Sequence, residues 1–354
     1  MELEYKAYTL DFTFDAGTSR GIMRHRTVWF LQISDENGRK KGVGEIAPLP
    51  RLSIDPLEAM DEKLDEIRSQ IKHLDLPRQE ADVFELAARL SVGFPSVRMG
   101  LEMAFLDALH GGKHVWFPGS FTEEKKQIPI NGLIWMGSPS FMREQADKKI
   151  DQGFACIKLK IGAIDFREEL ALLDYIRKKS PDCILRVDAN GAFAVQEALG
   201  KLKELAALGL HSIEQPIMPR QPEAMALLCQ KTAVPIALDE ELVGWESEQE
   251  KNELLDEIKP QFVILKPSLL GGFDETARWI RRAGERNIGW WVTSALESNI
   301  GLNAISQFTA RYDNALHQGL GTGQLFHNNV PSPIGTEGST VRFYMEQAVR
   351  SPFD

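Results

Sequence analysis

The feature that most constrains this chain is a series of six polar residues, each closing a short apolar segment and each about one strand-plus-helix length from the next. Lys160 to Asp188 is 28 residues, Asp188 to Glu214 is 26, Glu214 to Asp239 is 25, Asp239 to Lys266 is 27 and Lys266 to Ser294 is 28. A strand, a helix and two loops need roughly 25 to 30 residues, so every step reads as one βα unit. The segments closed in this way are 155–160, 184–188, 212–214, 236–239, 262–266 and 289–294, and adding 128–134 and a run near 315–318 makes eight. An open doubly wound sheet also repeats βα units, but it places its ligand at one switch point. Six successive strands ending in polar groups suit a (β/α) barrel of the TIM type, where every strand delivers a side chain to one central site.

The first third of the chain has a different texture. Residues 1–50 alternate as strands, with a run Thr27–Ile33, a turn at Asp35-Glu36-Asn37-Gly38 and a run Gly42–Ile46, which predicts an antiparallel meander. From Asp55 to about Gly112 the apolar spacing is helical, with Pro56 at a helix start and Pro95 between later helices. An α+β domain over 1–120 and a barrel over 121–325 are therefore expected. A total of 354 residues suits a barrel of roughly 200 to 250 residues with a smaller companion.

The bulk properties narrow the partners. No apolar stretch approaches the roughly 20 residues that span a bilayer, and the N-terminus lacks the basic start and apolar centre of a signal peptide, so a cytoplasmic chain without membrane residence is expected. A net charge of −10 and the lack of basic runs with interleaved aromatics oppose nucleic-acid binding. A small molecule is the expected partner, and nothing specifies an oligomeric state. Cys156, Cys183 and Cys229 are odd in number and widely spaced, as for buried free thiols.

Lys158 and Lys160 are two apart, so an extended strand points both to one face, roughly 7 Å apart. Barrel interiors are normally filled by Val, Ile and Leu, and a charge placed there is costly unless paired, which favours a chemical role over a solvated lysine pair. Repulsion from Lys158 and any nearby metal ion would lower the pKa of Lys160 toward that of a general base. Asp188, Glu214 and Asp239 end three consecutive strands and would converge. One such carboxylate alone reads equally as a helix cap or a salt-bridge partner. Three together repel unless one is protonated or a hard divalent cation is present, and Mg²⁺ accepts few carboxylates while leaving positions for substrate oxygens. Mn²⁺ is a substitute, and zinc is disfavoured because no His or Cys lies at neighbouring strand ends. Lys266 is expected two to three strands around the barrel from Lys160, across the site. A glycosidase pair of carboxylates would leave both lysines unexplained. A metal between two lysines can grip a carboxylate and hold the charge formed when its α-proton leaves. A barrel that only binds a metal and an anion, as a sensor, is the non-catalytic alternative.

As an ordered set, Lys158-Leu159-Lys160, Asp188-Ala189-Asn190, Glu214-Gln215-Pro216, Asp239-Glu240-Glu241 and Leu265-Lys266-Pro267 resemble the enolase superfamily, muconate-lactonizing subgroup, over nearly the whole chain. The resemblance implies a modified barrel with an N-terminal α+β capping domain that includes Gly44-Glu45-Ile46-Ala47-Pro48 and is completed by residues 326–354. It implies Mg²⁺ on Asp188, Glu214 and Asp239, Lys160 as base and Lys266 opposing it, with Lys158 and Asn190 in support.

Within the subgroup, Ser294-Ala295-Leu296-Glu297-Ser298-Asn299-Ile300-Gly301 and His317-Gln318-Gly319-Leu320-Gly321-Thr322-Gly323 are similar to the o-succinylbenzoate synthase family of menaquinone biosynthesis. That likeness implies a dicarboxylate substrate dehydrated through a metal-held enolate, with its second carboxylate met by Ser294 and backbone N–H groups around Gly321. Dipeptide epimerases are expected to carry Asp-x-Asp where Gly321-Thr322-Gly323 stands, and mandelate-racemase relatives a His-Asp dyad, whereas His211 and His317 read as structural. N-succinylamino acid racemases, which need a lysine on each face, remain the alternative.

Overall fold

Three long strands open the chain: β1 (Glu2–Thr18), β2 (Gly21–Ser34) and β3 (Lys41–Ile46) form an antiparallel sheet in chain order. The computed structural model describes residues 1–18, 21–39, 41–347 and 350–353. The sheet alternates because one face is covered, and α1 (Met60–Ile71), α2 (Glu80–Leu90) and α3 (Pro95–Leu109) follow it. Chain entry into α1 is a single 3₁₀ turn at Leu57–Ala59 after Pro56, while Pro95 opens α3. β3 lies directly on α3. A Cβ at Gly42 would fall 2.0 Å from the Ala104 carbonyl oxygen, and one at Gly44 would fall 2.0 Å from that of Gly100. No other residue allows this approach, and α3 is buried on nearly every side as a result.

The expected first barrel strand is split. β4 (Ile128–Pro129) leaves the barrel to pair with a C-terminal hairpin, and β5 (Gly132–Ile134) begins the barrel sheet. Helix α4 (Pro139–Asp151) follows, then β6 (Cys156–Lys160), α5 (Phe166–Lys179), β7 (Ile184–Asp188), α6 (Val195–Ala206), β8 (Ser212–Glu214) and α7 (Pro222–Lys231). The series continues with β9 (Ile236–Leu238), α8 (Glu248–Ile258), β10 (Phe262–Leu265), the short α9 (Pro267–Leu270), α10 (Gly272–Glu285), β11 (Gly289–Val292) and α11 (Asn299–Ala310). Among the described residues, β5 to β11 make a seven-stranded parallel sheet in unbroken chain order.

The eighth position is not the regular strand that the sequence suggests. Gln318 bridges in parallel to Ile130 and Gly319 to Thr293, and these two residues join the ends of the sheet. The closing hydrogen bonds are Gln318 N to Pro129 O (2.8 Å), Asn131 N to Gln318 O (3.0 Å), Gly319 N to Val292 O (2.8 Å) and Ser294 N to Gly319 O (3.1 Å). Strand order and closure give the barrel handed down from the repeat spacing, with one position reduced to two residues. The C-terminal residues go to two places. Residues 325–328 run beside β1, with Thr13 N donating to Leu325 O (2.8 Å) and His327 N to Asp11 O (2.9 Å). The hairpin of β12 (Ile334–Glu337) and β13 (Thr340–Phe343) pairs with β4. No helix among the described residues is long and apolar enough to cross a membrane.

Candidate active site

The register of β6, β7 and β8 builds the centre of the site. Lys160 stands opposite Asp188, and Asp188 opposite Glu214, so three charged side chains share one level on the inner face. Asp239 is two residues past Ala237, the partner of Glu214, and therefore joins the same face. Lys158, one level deeper, reaches Glu214 Oε2 at 2.5 Å and Asp188 Oδ2 at 3.0 Å. Lys160 Nζ donates to Asp188 Oδ2 (2.9 Å) and to Asn190 Oδ1 (2.8 Å), and Lys266 Nζ pairs with Asp239 Oδ2. Lys160 on β6 and Lys266 just past β10 are four positions apart in an eight-position ring. They are diametrically opposed, and the two-to-three-strand separation expected from sequence is corrected by the strand order.

Burial and charge set the protonation of this cluster. Burial opposes ionisation of Asp188, but the ammonium groups of Lys158, Lys160 and Lys266 outweigh it and hold the carboxyl far below its ordinary range. Asp239 is likewise buried and is held low by Lys266. Glu214 goes the other way, raised by burial and by the Asp188 charge. Burial also works against charged Lys158, yet Asp188 and Glu214 raise it above the ordinary lysine range. Three carboxylates gathered in a dry site thus push the proton affinity of one of them upward, which is the conflict the sequence pattern implied.

Among the described residues, no three Asp, Glu, His or Cys side chains stand as ready ligands around one point, because the lysine ammonium groups reach in between the carboxylates. The residues nevertheless fit a hard divalent cation. The available donors are all carboxylate oxygens, and Glu214 Oε1 is buried without a hydrogen-bond partner, an acceptor that a cation would satisfy.

A cavity of about 710 Å³ opens from the cluster toward the cap, with Met23 and Leu49 in its roof. Ser294, Gly321 and Thr322 line the far side, where Ser294 Oγ shares a 2.7 Å hydrogen bond with Thr322 Oγ1 and accepts from Leu296 N at 3.1 Å. Asn190 sits at φ +44°, its N–H on Asp188 Oδ1 (3.0 Å) and its Nδ2 on Glu240 Oε1 (3.0 Å), so its amide is fixed where Lys160 meets it. All nine residues singled out in the sequence lie around this cavity or in the charged cluster at its base.

A family model described as enolase C-terminal domain-like matches residues 141–343. The chain belongs to the enolase superfamily. Over 96% of its length it is 46% identical to the o-succinylbenzoate synthase of Desulfotalea psychrophila, covering 98% of that protein. It superposes on the crystal structure of MenC from the same organism with a TM-score of 0.87 and 43% identity, covering 97% of this chain and 99% of the other. It is also 29% identical to the N-succinylamino acid racemase of Thermus thermophilus, over 85% of this chain and 79% of the racemase.

As an enolase-superfamily enzyme the chain carries two inward residues that sequence reading missed. Asn131 lines the cavity at 6% exposure, and its Oδ1 has no hydrogen-bond partner. Arg186, level with Lys158, is 1% exposed, lies 3.9 Å from the Trp291 ring centroid and donates from Nη1 to His317 O at 2.8 Å. Both interrupt apolar runs, at Ile130-Asn131-Gly132 and Leu185-Arg186-Val187, a signal available in the sequence. His211 stacks on Phe262 at 4.9 Å and burial pushes it down to about 4, in keeping with a structural role. The three cysteines are free and buried.

Proposed function

We propose that the chain is an o-succinylbenzoate synthase, converting 2-succinyl-6-hydroxy-2,4-cyclohexadiene-1-carboxylate to o-succinylbenzoate by Mg²⁺-dependent syn loss of water. The carrying observation is the 46% identity to such a synthase across nearly the full length of both chains, in a molecule with opposed lysines around a carboxylate cluster. Asp188, Glu214 and Asp239 would hold Mg²⁺, with Mn²⁺ as substitute; once bound, the cation neutralises charge that builds on the ring carboxylate as its α-proton leaves.

Charge balance supports this reading. With Lys160 as the neutral amine, Lys158, Lys266 and a divalent cation set four positive charges against the three carboxylates, which leaves the site cationic toward a dicarboxylate substrate. Lys160, as the neutral amine, takes the α-proton to become the ammonium and, being on the same face as the departing hydroxide, returns that proton so that water leaves. The Asn190 amide keeps the Lys160 ammonium aimed, since its own orientation is fixed at both ends. Lys266 places a positive charge on the opposite face, and Lys158 holds Glu214 and Asp188 together below. Ser294 and the backbone near Gly321 meet the succinyl carboxylate, with the Asn131 amide as a further donor.

The test is the absorbance change on mixing enzyme, Mg²⁺ and the cyclohexadiene carboxylate, repeated with a chelator. Turnover that chelation stops supports the proposal. No turnover with metal present, together with α-deuterium exchange into an N-succinylamino acid, supports the second reading. The observation favouring that racemase is the diametric placement of Lys160 and Lys266, one lysine for each face of a carbon acid.

A further inference from the structure

The join between cap and barrel contains a charged group that none of the chemistry above uses. Arg26 on β2 is 3% exposed. Its Nη1 donates to the carbonyl oxygens of Ala295 and Leu296, the latter at 2.8 Å, and its Nη2 donates to Pro48 O at 3.0 Å. All three acceptors are main-chain carbonyls, two on the barrel loop after β11 and one on the cap loop after β3. Glu45 and Glu297 act on the guanidinium through their fields. Withdrawing a guanidinium from water to bind neutral carbonyls is a costly arrangement, sustained only where the fork geometry holds separate segments together.

The segments so held are walls of the cavity. Ala295, Leu296 and Leu49, the neighbour of Pro48, all line it. Leu296 has φ +64°, a left-handed conformation that a branched side chain adopts only under outside restraint. The restraint is visible on both sides of the residue: its N–H is taken by Ser294 Oγ and its carbonyl by Arg26. Around this point Leu49, Val243, Leu269 and Ala295, with Met23, Leu52 and Leu296 against them, form an apolar cluster separate from the main core. Its members come from β2 and the loop after β3 in the cap and from the segments that follow β9, β10 and β11 in the barrel, so Arg26 is the polar tie beneath an otherwise nonspecific roof.

We propose that Arg26 is a positioning residue that fixes the Ala295–Leu296 wall against the Pro48–Leu49 loop, and thereby the distance from the lysine and carboxylate cluster to the Ser294 end of the cavity. It sets how tightly the substrate's second carboxylate arm is held and leaves proton transfer to the lysines. The inference rests on reading this cavity as the substrate site.

The experiment uses the full chain with Mg²⁺ and compares wild type with Arg26→Met, which keeps length and removes the donors, and Arg26→Lys, which can still serve two carbonyls. Expected is a KM raised about tenfold or more in Arg26→Met with kcat within about threefold, and an intermediate KM in Arg26→Lys. Leu296→Gly relieves the positive φ but removes the wall side chain, and it should raise KM in the same manner. An unchanged KM in Arg26→Met, or a loss confined to kcat, overturns the proposal. If Arg26→Met does not fold, a wild-type KM in both Arg26→Lys and Leu296→Gly overturns it equally. An inactive wild type counts against the functional reading alone; should it racemise an N-succinylamino acid, the same KM and kcat split is read on that substrate.

Discussion

On the proposed reading Lys160 and Asp239 carry different jobs in the same cluster, and single substitutions should separate them. Lys160→Ala removes the proton carrier and leaves the three carboxylates, so kcat is expected to fall by about 10³-fold or more while Mg²⁺ affinity, measured by calorimetry, is retained. Asp239→Asn removes a charged oxygen donor and should weaken Mg²⁺ binding by at least about 100-fold; an unaltered Mg²⁺ dependence would take Asp239 out of the ligand set. Asn131→Leu tests the missed residue. Removing an amide whose buried oxygen has no partner should leave thermal stability equal or higher, while KM rises about tenfold because the Nδ2 group that would donate to the substrate is gone. The strand-end residues were legible because repeat spacing exposes them one by one. Asn131 and Arg186 gave a weaker signal, a lone polar residue inside an apolar run, whose role depends on what stands across the barrel.

At the scale of elements, the closure of the barrel depends on a two-residue contact and not on a strand. Gly319 is essential to it: a Cβ there would lie 2.1 Å from Thr293 Oγ1 and 2.5 Å from Thr293 Cβ. Gly319→Ala should therefore destabilise the fold by about 1–3 kcal/mol, read as a lower thermal midpoint, and should disturb Ser294, whose N–H bonds to the Gly319 carbonyl. A variant with wild-type stability would show that the ring is not held there. The repeat period predicted βα units from β6 through β11 because each unit carries its own apolar strand and helix. It misjudged 128–134 and 315–318. The pairing of Ile128–Pro129 is decided by a hairpin some 200 residues away, and that of Gln318–Gly319 by both ends of the sheet at once.

The whole molecule buries several ionisable groups, some within the cap or the barrel and two, Glu45 and Glu102, across the join, and these make its stability depend on pH. Burial pushes the carboxyls of Glu45 and Asp107 up to about 7 and that of Glu102 up to about 8. A carboxyl raised in the folded state binds its proton more tightly there, so its contribution is complete below the unfolded pKa and is lost as pH rises through the folded value. His211 and His317 are pushed below their ordinary 6.5 by burial and favour the folded state as pH rises to that point, opposing the carboxyls. From about pH 6.5 to 8 the carboxyl effect stands alone among these groups. The denaturant midpoint should fall across that window, and Asp107→Asn should flatten the fall; a midpoint that rises with pH would contradict the protonated state of these groups.

The amino-acid sequence by itself determined the repeat, the class of fold and the ordered lysines and carboxylates, since spacing and side-chain chemistry are local properties that survive without coordinates. Only the tertiary structure decided which residues oppose one another, how the ring closes and how Arg26 and Glu45 from the cap reach the loop and helix after β11. Those contacts join segments roughly 250 to 270 residues apart, where direction and distance come from packing and no pattern along the chain records them.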